Sequence, residues 1–106
     1  MGVGPVRRVG VIGLGRMGLP ICARFVEHGF DVVCTDLSGD RRELGARAGA
    51  VTVSDAGGVA AGADVVVTVL PGPAEVTAVA AAVTAAMTPG AVWLDLSTAA
   101  PAAARA

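Results

Sequence analysis

Apolar residues in this chain fall into short clusters of strand length, separated by longer stretches in which they recur every three or four positions. The runs at 6–12, 30–35, 50–53, 64–70 and 91–96 have strand length and are rich in valine, a β-branched residue that suits a pleated surface. The stretches at 17–28, 40–48 and 74–87 read as helices. Gly29 and Gly49 suit the left-handed position that ends the first two, and Ser38 is placed to cap the start of the second. Pro89-Gly90 stops the third. A brief helix is expected to begin at Ser54, to be interrupted at Gly57-Gly58 and to end near Gly62. A last one is expected after Pro101. The segment DVVVTVL at 64–70 shows no polar alternation, the pattern of a central parallel strand covered on both faces. Strand and helix alternate throughout, so the expected architecture is α/β, a parallel doubly wound sheet with right-handed crossovers, in one domain over 1–106. Val76, Val79 and Val83 share one face of the alanine-rich helix, which is expected to pack on the sheet rather than to form an interaction surface.

In such a sheet, ligands sit beyond the carboxyl ends of the strands. The first strand runs into Gly13-Leu14-Gly15-Arg16-Met17-Gly18, a helical stretch follows at once, and Asp36 closes the second strand. This is the dinucleotide-binding fingerprint in its required context, so the sheet is expected to be of Rossmann type. Gly13 allows the tight turn, Gly15 lets a pyrophosphate approach the backbone, and Gly18 lets helix and strand pack closely. The helix N-terminus offers free N–H groups and a partial positive charge to the phosphates. The competing reading is a glycine turn with no ligand. A methyl-donor site is disfavoured, because Val11 and Ile12 stand where an acidic residue is usual.

Asp36 bears on the choice of cofactor. A carboxylate there can accept two hydrogen bonds from ribose hydroxyls and repels a 2′-phosphate. Hydrogen bonds to a charged group are worth roughly 1.5–3 kcal/mol, which favours NAD over NADP by about tenfold to a hundredfold. Leu37 and Ser38 continue the same loop. NADP is the competing reading, since Ser38 with Arg41 and Arg42 could meet a phosphate. Arg16 could lean over the pyrophosphate. Leu70 and Pro71 would close the apolar strand beneath the ribose. Ser97 and Thr98 place two hydroxyls where a nicotinamide and a substrate would meet, with helix capping before Pro101 as the plainer alternative.

Composition narrows the classes. Hydrophobic residues make up 54% of the 106 residues and charged residues 16%, enough to bury a core and to leave apolar surface over. Net charge is −1, and neither nucleic acid nor an anionic membrane is an expected partner without a basic patch. Cys22 and Cys34 read as buried thiols. With a single histidine, His28, read as a surface cap of its helix, no metal site is expected. The N-terminus lacks the features of a secretory leader, position 6 is Val rather than the hydroxyl residue of a myristoylation signal, and no apolar run reaches the roughly 20 residues that span a bilayer. A cytoplasmic location is the expectation.

Gly13-Leu-Gly15-Arg-Met-Gly18-Leu-Pro20, the segment VEHGFDVV at 26–33, Asp36-Leu37, Ala63-Asp64 leading into Leu70-Pro71, and Asp95-Leu-Ser97-Thr98 with Pro101 together resemble the β-hydroxyacid dehydrogenases. That family includes 3-hydroxyisobutyrate dehydrogenase, tartronate semialdehyde reductase and 6-phosphogluconate dehydrogenase. The resemblance implies that 13–18 hold the pyrophosphate, Asp36 the ribose, and Leu70-Pro71 the adenosine half. It places Thr98 by the nicotinamide and Ser97 at the substrate carboxylate or hydroxyl. It also implies a catalytic lysine in a later helical domain. This chain has no lysine, all eight of its basic residues being arginine, so no catalytic residue is assigned within it. It reads as the cofactor half of such an enzyme, cut short before the final strands and the helical domain. A homo-oligomer, or that further domain, is the expected partner. Gly72-Pro73 departs from the more polar loop of the family, which leaves contacts from Glu75 unassigned. A non-catalytic dinucleotide-binding module and an imine reductase-like cofactor domain are the alternative functions.

Overall fold

The computed structural model describes residues 5–97. Five parallel strands form one sheet: β1 (Arg8–Ile12), β2 (Asp31–Thr35), β3 (Val51–Thr52), β4 (Val65–Thr68) and β5 (Val92–Asp95), in the order β3-β2-β1-β4-β5. The order reverses direction beside β1, which creates the crevice in which doubly wound sheets take their ligands. Four helices connect the strands: α1 (Gly18–Glu27), α2 (Gly39–Arg47), α3 (Ala56–Ala60) and α4 (Pro73–Ala86). The α/β Rossmann-type architecture expected from the pattern is the one observed. The helix expected after Pro101 lies outside the described residues.

Alternate residues of each strand feed two cores. Val9 and Val11 of β1, Val32 and Cys34 of β2 and Val67 of β4 meet Leu14 and Cys22 on the α1 side. Ile12 and Val66 meet Val59, Ala60 and Val83 on the α3/α4 side. β4 is thus covered on both faces, which is why its sequence is apolar without alternation. α1 ends where Phe30 N–H reaches the Phe25 carbonyl and Gly29 N–H the Val26 carbonyl, with Gly29 left-handed at φ 86°. His28 Nδ1 bonds the Arg24 carbonyl at 2.8 Å and so caps the same helix.

Two expectations need correction. α3 is not interrupted at Gly57-Gly58 but runs through both. The Asp55 side chain accepts from Gly58 N–H at 2.7 Å and caps it, and Val59 is fully buried against β1. Tertiary packing and the cap outweigh the poor helix propensity of glycine. The strands are also shorter than the apolar runs, because they keep only residues with a parallel partner: β1 and β2 pair from Arg8 opposite Asp31 to Ile12 opposite Thr35, and β4 and β5 from Val65 opposite Val92 to Thr68 opposite Asp95. β3 keeps two paired residues, opposite Val33 and Cys34.

One sheet face is less covered than the others. Val92, Leu94 and Leu96 point from the edge strand β5 toward α1, each nearly half exposed, and Leu94 and Leu96 border an apolar groove of about 560 Å³ with Ile21, Phe25 and Val67. Among the described residues, no helix is long and apolar enough to cross a membrane.

Candidate nucleotide-binding site

The glycine loop leaves β1 and enters α1 in five residues, and its three glycines do different things. At Gly13 the backbone is left-handed, φ 103°, and a Cβ there would run into the Val69 carbonyl of the β4 exit. At Gly18 a Cβ would collide with the Gly13 carbonyl. These two glycines are required by the packing of loop, helix and sheet. Gly15 is different: the nearest atom to a Cβ built on it is Arg41 Nη1, at 3.8 Å. The space over Gly15 is open, a cradle that a side chain would fill and a phosphate can enter. The first turn of α1 starts beside it; its Leu19 and Ile21 N–H groups already bond the Gly15 and Met17 carbonyls and Pro20 has no N–H, so what this turn offers an anion is the positive end of the helix dipole. The residues therefore fit a dinucleotide pyrophosphate.

Asp36 stands immediately past β2, its side chain only 10% exposed. One carboxylate oxygen, Oδ2, accepts the Leu14 N–H of the loop at 2.8 Å, and Oδ1 accepts the Ser38 N–H at 2.9 Å. The geometry shows Asp36 making a turn with Ser38 together with a bond across to the glycine loop. Each oxygen keeps a further lone pair for a ribose hydroxyl. Leu37 is fully exposed beside it, and Ser38 Oγ caps α2 by accepting from Arg41 N–H at 3.2 Å.

The other expected site residues divide by exposure. Leu14 is buried in the core, so its side chain is turned away from any ligand and its N–H carries its contribution. Arg16 and Met17 are exposed at the rim. Leu70 lies against Gly13, flooring the turn, and Pro71 follows it exposed. Ser97 Oγ accepts the Leu70 N–H at 2.7 Å, tying the ends of β4 and β5 together. Thr98 lies outside the described residues.

Behind Ser97 is a network that the sequence did not point to. Thr68, fully buried, accepts from Trp93 Nε1–H at 3.1 Å and donates to Asp95 Oδ1 at 2.9 Å. The same Asp95 oxygen accepts the Ser97 N–H at 3.0 Å. Asp95 repeats at β5 the turn that Asp36 makes at β2, each carboxylate capping the N–H two residues on. That offset, Asp then a residue then Ser, was the available signal. At the opposite end of the sheet Asp64 Oδ2 accepts the N–H groups of Arg7 and Arg8, both at 2.9 Å, and closes the start of β1.

These bonds set a pH dependence. The Arg8 and Arg7 N–H groups hold Asp64 below the usual carboxylate range, and the Ser97 hydroxyl and N–H, with Thr68, do the same for Asp95. A carboxyl whose pKa is lower in the folded than in the unfolded chain stabilises the fold above its unfolded value and loses that contribution as pH falls through its folded value. Thermal melts are expected to be level above about pH 5 and to drop below about pH 4. In Asp64→Asn the drop becomes shallower; an unchanged slope would remove Asp64 from this account.

Residues 8–106 match the family described as the NAD binding domain of 6-phosphogluconate dehydrogenase. The chain belongs to this family. It is an NAD(P)-binding domain of the β-hydroxyacid dehydrogenase type, the domain that stands at the N-terminus of such oxidoreductases. Among solved structures it is similar to 3-hydroxyisobutyrate dehydrogenase of Mycobacterium tuberculosis, solved with L-serine, at 32% identity and a TM-score of 0.86 over 95% of this chain and 35% of that one. It is similar to 3-hydroxyisobutyrate dehydrogenase of Salmonella typhimurium at 25% identity and a TM-score of 0.79, over 92% of this chain and 35% of the other. An imine reductase from Bacillus cereus matches at 27% identity and a TM-score of 0.76, over 93% of this chain and 34% of that one. This NAD(P)-binding domain thus spans about a third of the length of the structures it matches.

Proposed function

We propose that this domain binds NAD in preference to NADP and serves an oxidoreductase that moves a hydride between nicotinamide and a small 3-hydroxy acid or semialdehyde. The observation that carries the reading is Asp36, a carboxylate fixed by two backbone N–H groups at the lip of the cradle over Gly15. A carboxylate held still pays little to order itself around a ribose, and its charge disfavours a 2′-phosphate. When bound, the cofactor supplies hydride acceptance and donation. The chain's own residues orient it: 13–18 take the pyrophosphate, with Arg16 and Met17 at the rim, Asp36 takes the ribose with Leu37 and Ser38 beside it, and Leu70 and Pro71 border the adenosine half. Ser97 is assigned to the substrate carboxylate or hydroxyl, and Thr98, outside the described residues, keeps the nicotinamide role that the resemblance implies. The proton that accompanies the hydride needs an acid/base outside this domain, since the chain contains no lysine and its one histidine caps the far end of α1.

Titration with NADH, followed by nicotinamide fluorescence, is expected to show saturable binding, and a panel of small hydroxy acids with NAD to show no turnover by the domain alone. Absence of saturable binding would overturn the cofactor reading. Turnover would show that an acid/base does reside in this chain. A domain that binds and serves only as a nucleotide-responsive module is the second reading, and the absence of lysine favours it. The likeness to an imine reductase supports a third, against which Asp36-Leu37-Ser38 speaks, because a carboxylate there opposes the NADP-type loop that those enzymes usually carry.

A further inference from the structure

Among the described residues two polar side chains are buried, Thr35 and Thr68, and each is the last residue of its strand, at the end of the sheet that meets the glycine loop. Thr68 is fully buried, in a segment otherwise apolar from Val65 to Leu70. Valine has nearly the same shape and would fill that place with no polar atom to satisfy. The hydroxyl is there for its partners rather than for packing.

Those partners form one directed chain. Trp93 Nε1–H donates to Thr68 Oγ1 at 3.1 Å, and Thr68 gives its single proton to Asp95 Oδ1 at 2.9 Å. The same Asp95 oxygen accepts the Ser97 N–H at 3.0 Å, and Ser97 Oγ accepts the Leu70 N–H at 2.7 Å. The backbone ladder has changed hands at this point. Leu96 N–H still bonds the Thr68 carbonyl at 2.8 Å, but the Leu70 N–H, next in line, goes to the Ser97 side chain. The last step of the chain touches the glycine loop. Leu70 Cδ2 lies 3.1 Å from where a Cβ on Gly13 would stand, and the Val69 carbonyl is closer still. The Gly13 turn therefore rests on two residues whose position is set partly from β5.

We propose that Thr68 is a positioning residue for the cofactor: through Asp95 and Ser97 it fixes Leu70, and with it the floor of the Gly13 turn on which the pyrophosphate is carried. The inference rests on the reading of 13–18 as the pyrophosphate cradle. Hydrogen bonds in series polarise one another, and a charged acceptor at the end strengthens those behind it, so loss of the Thr68 hydroxyl is felt at Ser97. Trp93 packs on the α3/α4-side core and gives the chain a fixed far end.

The test is titration of the whole chain with NADH by fluorescence and with ADP-ribose by calorimetry. The proteins are wild type, Thr68→Val, Thr68→Ser, Ser97→Ala and the Thr68→Val/Ser97→Ala double variant. Thr68→Val is expected to weaken both ligands by about threefold to tenfold, and Thr68→Ser, which keeps the hydroxyl, to bind within about twofold of wild type. The double variant should bind no more weakly than Ser97→Ala, because the effect of Thr68 passes through Ser97; a general loosening of the core would instead multiply the two losses. If Thr68→Val binds as wild type does, if Thr68→Ser loses as much as Thr68→Val, or if the losses multiply, the inference is overturned and the cradle reading stands. A loss confined to NADH overturns it too, since ADP-ribose carries the pyrophosphate without the nicotinamide. If wild type binds neither ligand, the cradle reading itself fails and this inference with it. Circular dichroism melts show whether Thr68→Val folds. Should it not fold, Asp95→Asn replaces it, since Asp95 is exposed and the change removes only the charged acceptor. The same loss is then expected for both ligands, with no further loss in the Ser97→Ala background, and wild-type affinity in Asp95→Asn overturns the inference.

Discussion

Gly18→Ala is expected to cost most of the domain's stability, whereas Gly15→Ala, three residues earlier, is expected to leave the fold intact and remove the cofactor. The contrast comes from what each added methyl meets. At Gly18 it strikes the carbonyl oxygen of Gly13, a backbone atom. That carbonyl cannot retreat, because Gly13 itself is pressed against the Val69 carbonyl and sits at φ 103°. The loop is a wedge between α1 and β4, and relief requires moving the helix off the sheet. Overpacking of a core usually costs about 1–3 kcal/mol, and a clash between two pieces of backbone belongs at or beyond the top of that range. For a domain of this size about 3 kcal/mol corresponds to a fall of roughly 12–24 °C in Tm. At Gly15 the methyl meets nothing closer than Arg41 Nη1 at 3.8 Å, and the backbone is not left-handed. Its melting temperature should move by no more than a few degrees, while NADH affinity falls more than tenfold if, as proposed, the methyl occupies the space of a phosphate oxygen. Thermal melts alongside NADH titration separate the two. Equal destabilisation by both variants would mean that the loop is a tight turn and nothing more.

The contrast also shows what was legible in the sequence. The fingerprint could be read because its physics is local: a strand, a bend without side chains and a helix start lie within a few residues of one another. Asp36 was readable for a similar reason, since the β1 and β2 ends are adjacent in any sheet of this type. The Asp64 clamp on Arg7 and Arg8 was not, because its partners are 57 and 56 residues away and are set by the pairing of β4 with β1. The chain from Trp93 through Thr68 to Asp95 depends likewise on the register that puts Thr68 opposite Asp95 and Val66 opposite Trp93. Nothing in a linear pattern tells a buried threonine with two partners from one that merely fills a strand. Gly10 gave a fainter sign. A glycine inside an apolar strand marks a close approach, and here Val59 of α3 packs onto it so tightly that a Cβ would sit 2.5 Å from Val59 Cγ1. Read that way, it would have argued for a continuous α3 in spite of Gly57-Gly58.

Asp36→Ala is expected to reverse the order of cofactor affinity. On the proposed reading the carboxylate is both architecture and ligand, so its removal acts twice. The N–H groups of Leu14 and Ser38 lose a charged acceptor each. A bond to a charged group is worth about 1.5–3 kcal/mol, but water can reach part of this loop, and a net loss of about 2 kcal/mol in stability is expected. The ribose hydroxyls lose their acceptor as well, and NADH affinity should fall by at least tenfold. NADPH meets the opposite change. The carboxylate that opposed its 2′-phosphate is gone, and Arg41, 4.0 Å from the former carboxylate, has no competing anion. Its affinity should hold or rise, so that NADPH becomes the tighter ligand. Asp36→Asn divides the two effects. Its amide oxygen can still accept one of the two N–H groups, so the loop should keep more of its stability while the charge is lost. A shift toward NADPH in Asn that is comparable to the shift in Ala assigns the preference to charge. A shift in Ala alone assigns it to loop geometry. If the ratio of NADH to NADPH affinity is unchanged in both, Asp36 does not face the ribose, and the cradle over Gly15 must be entered from another direction.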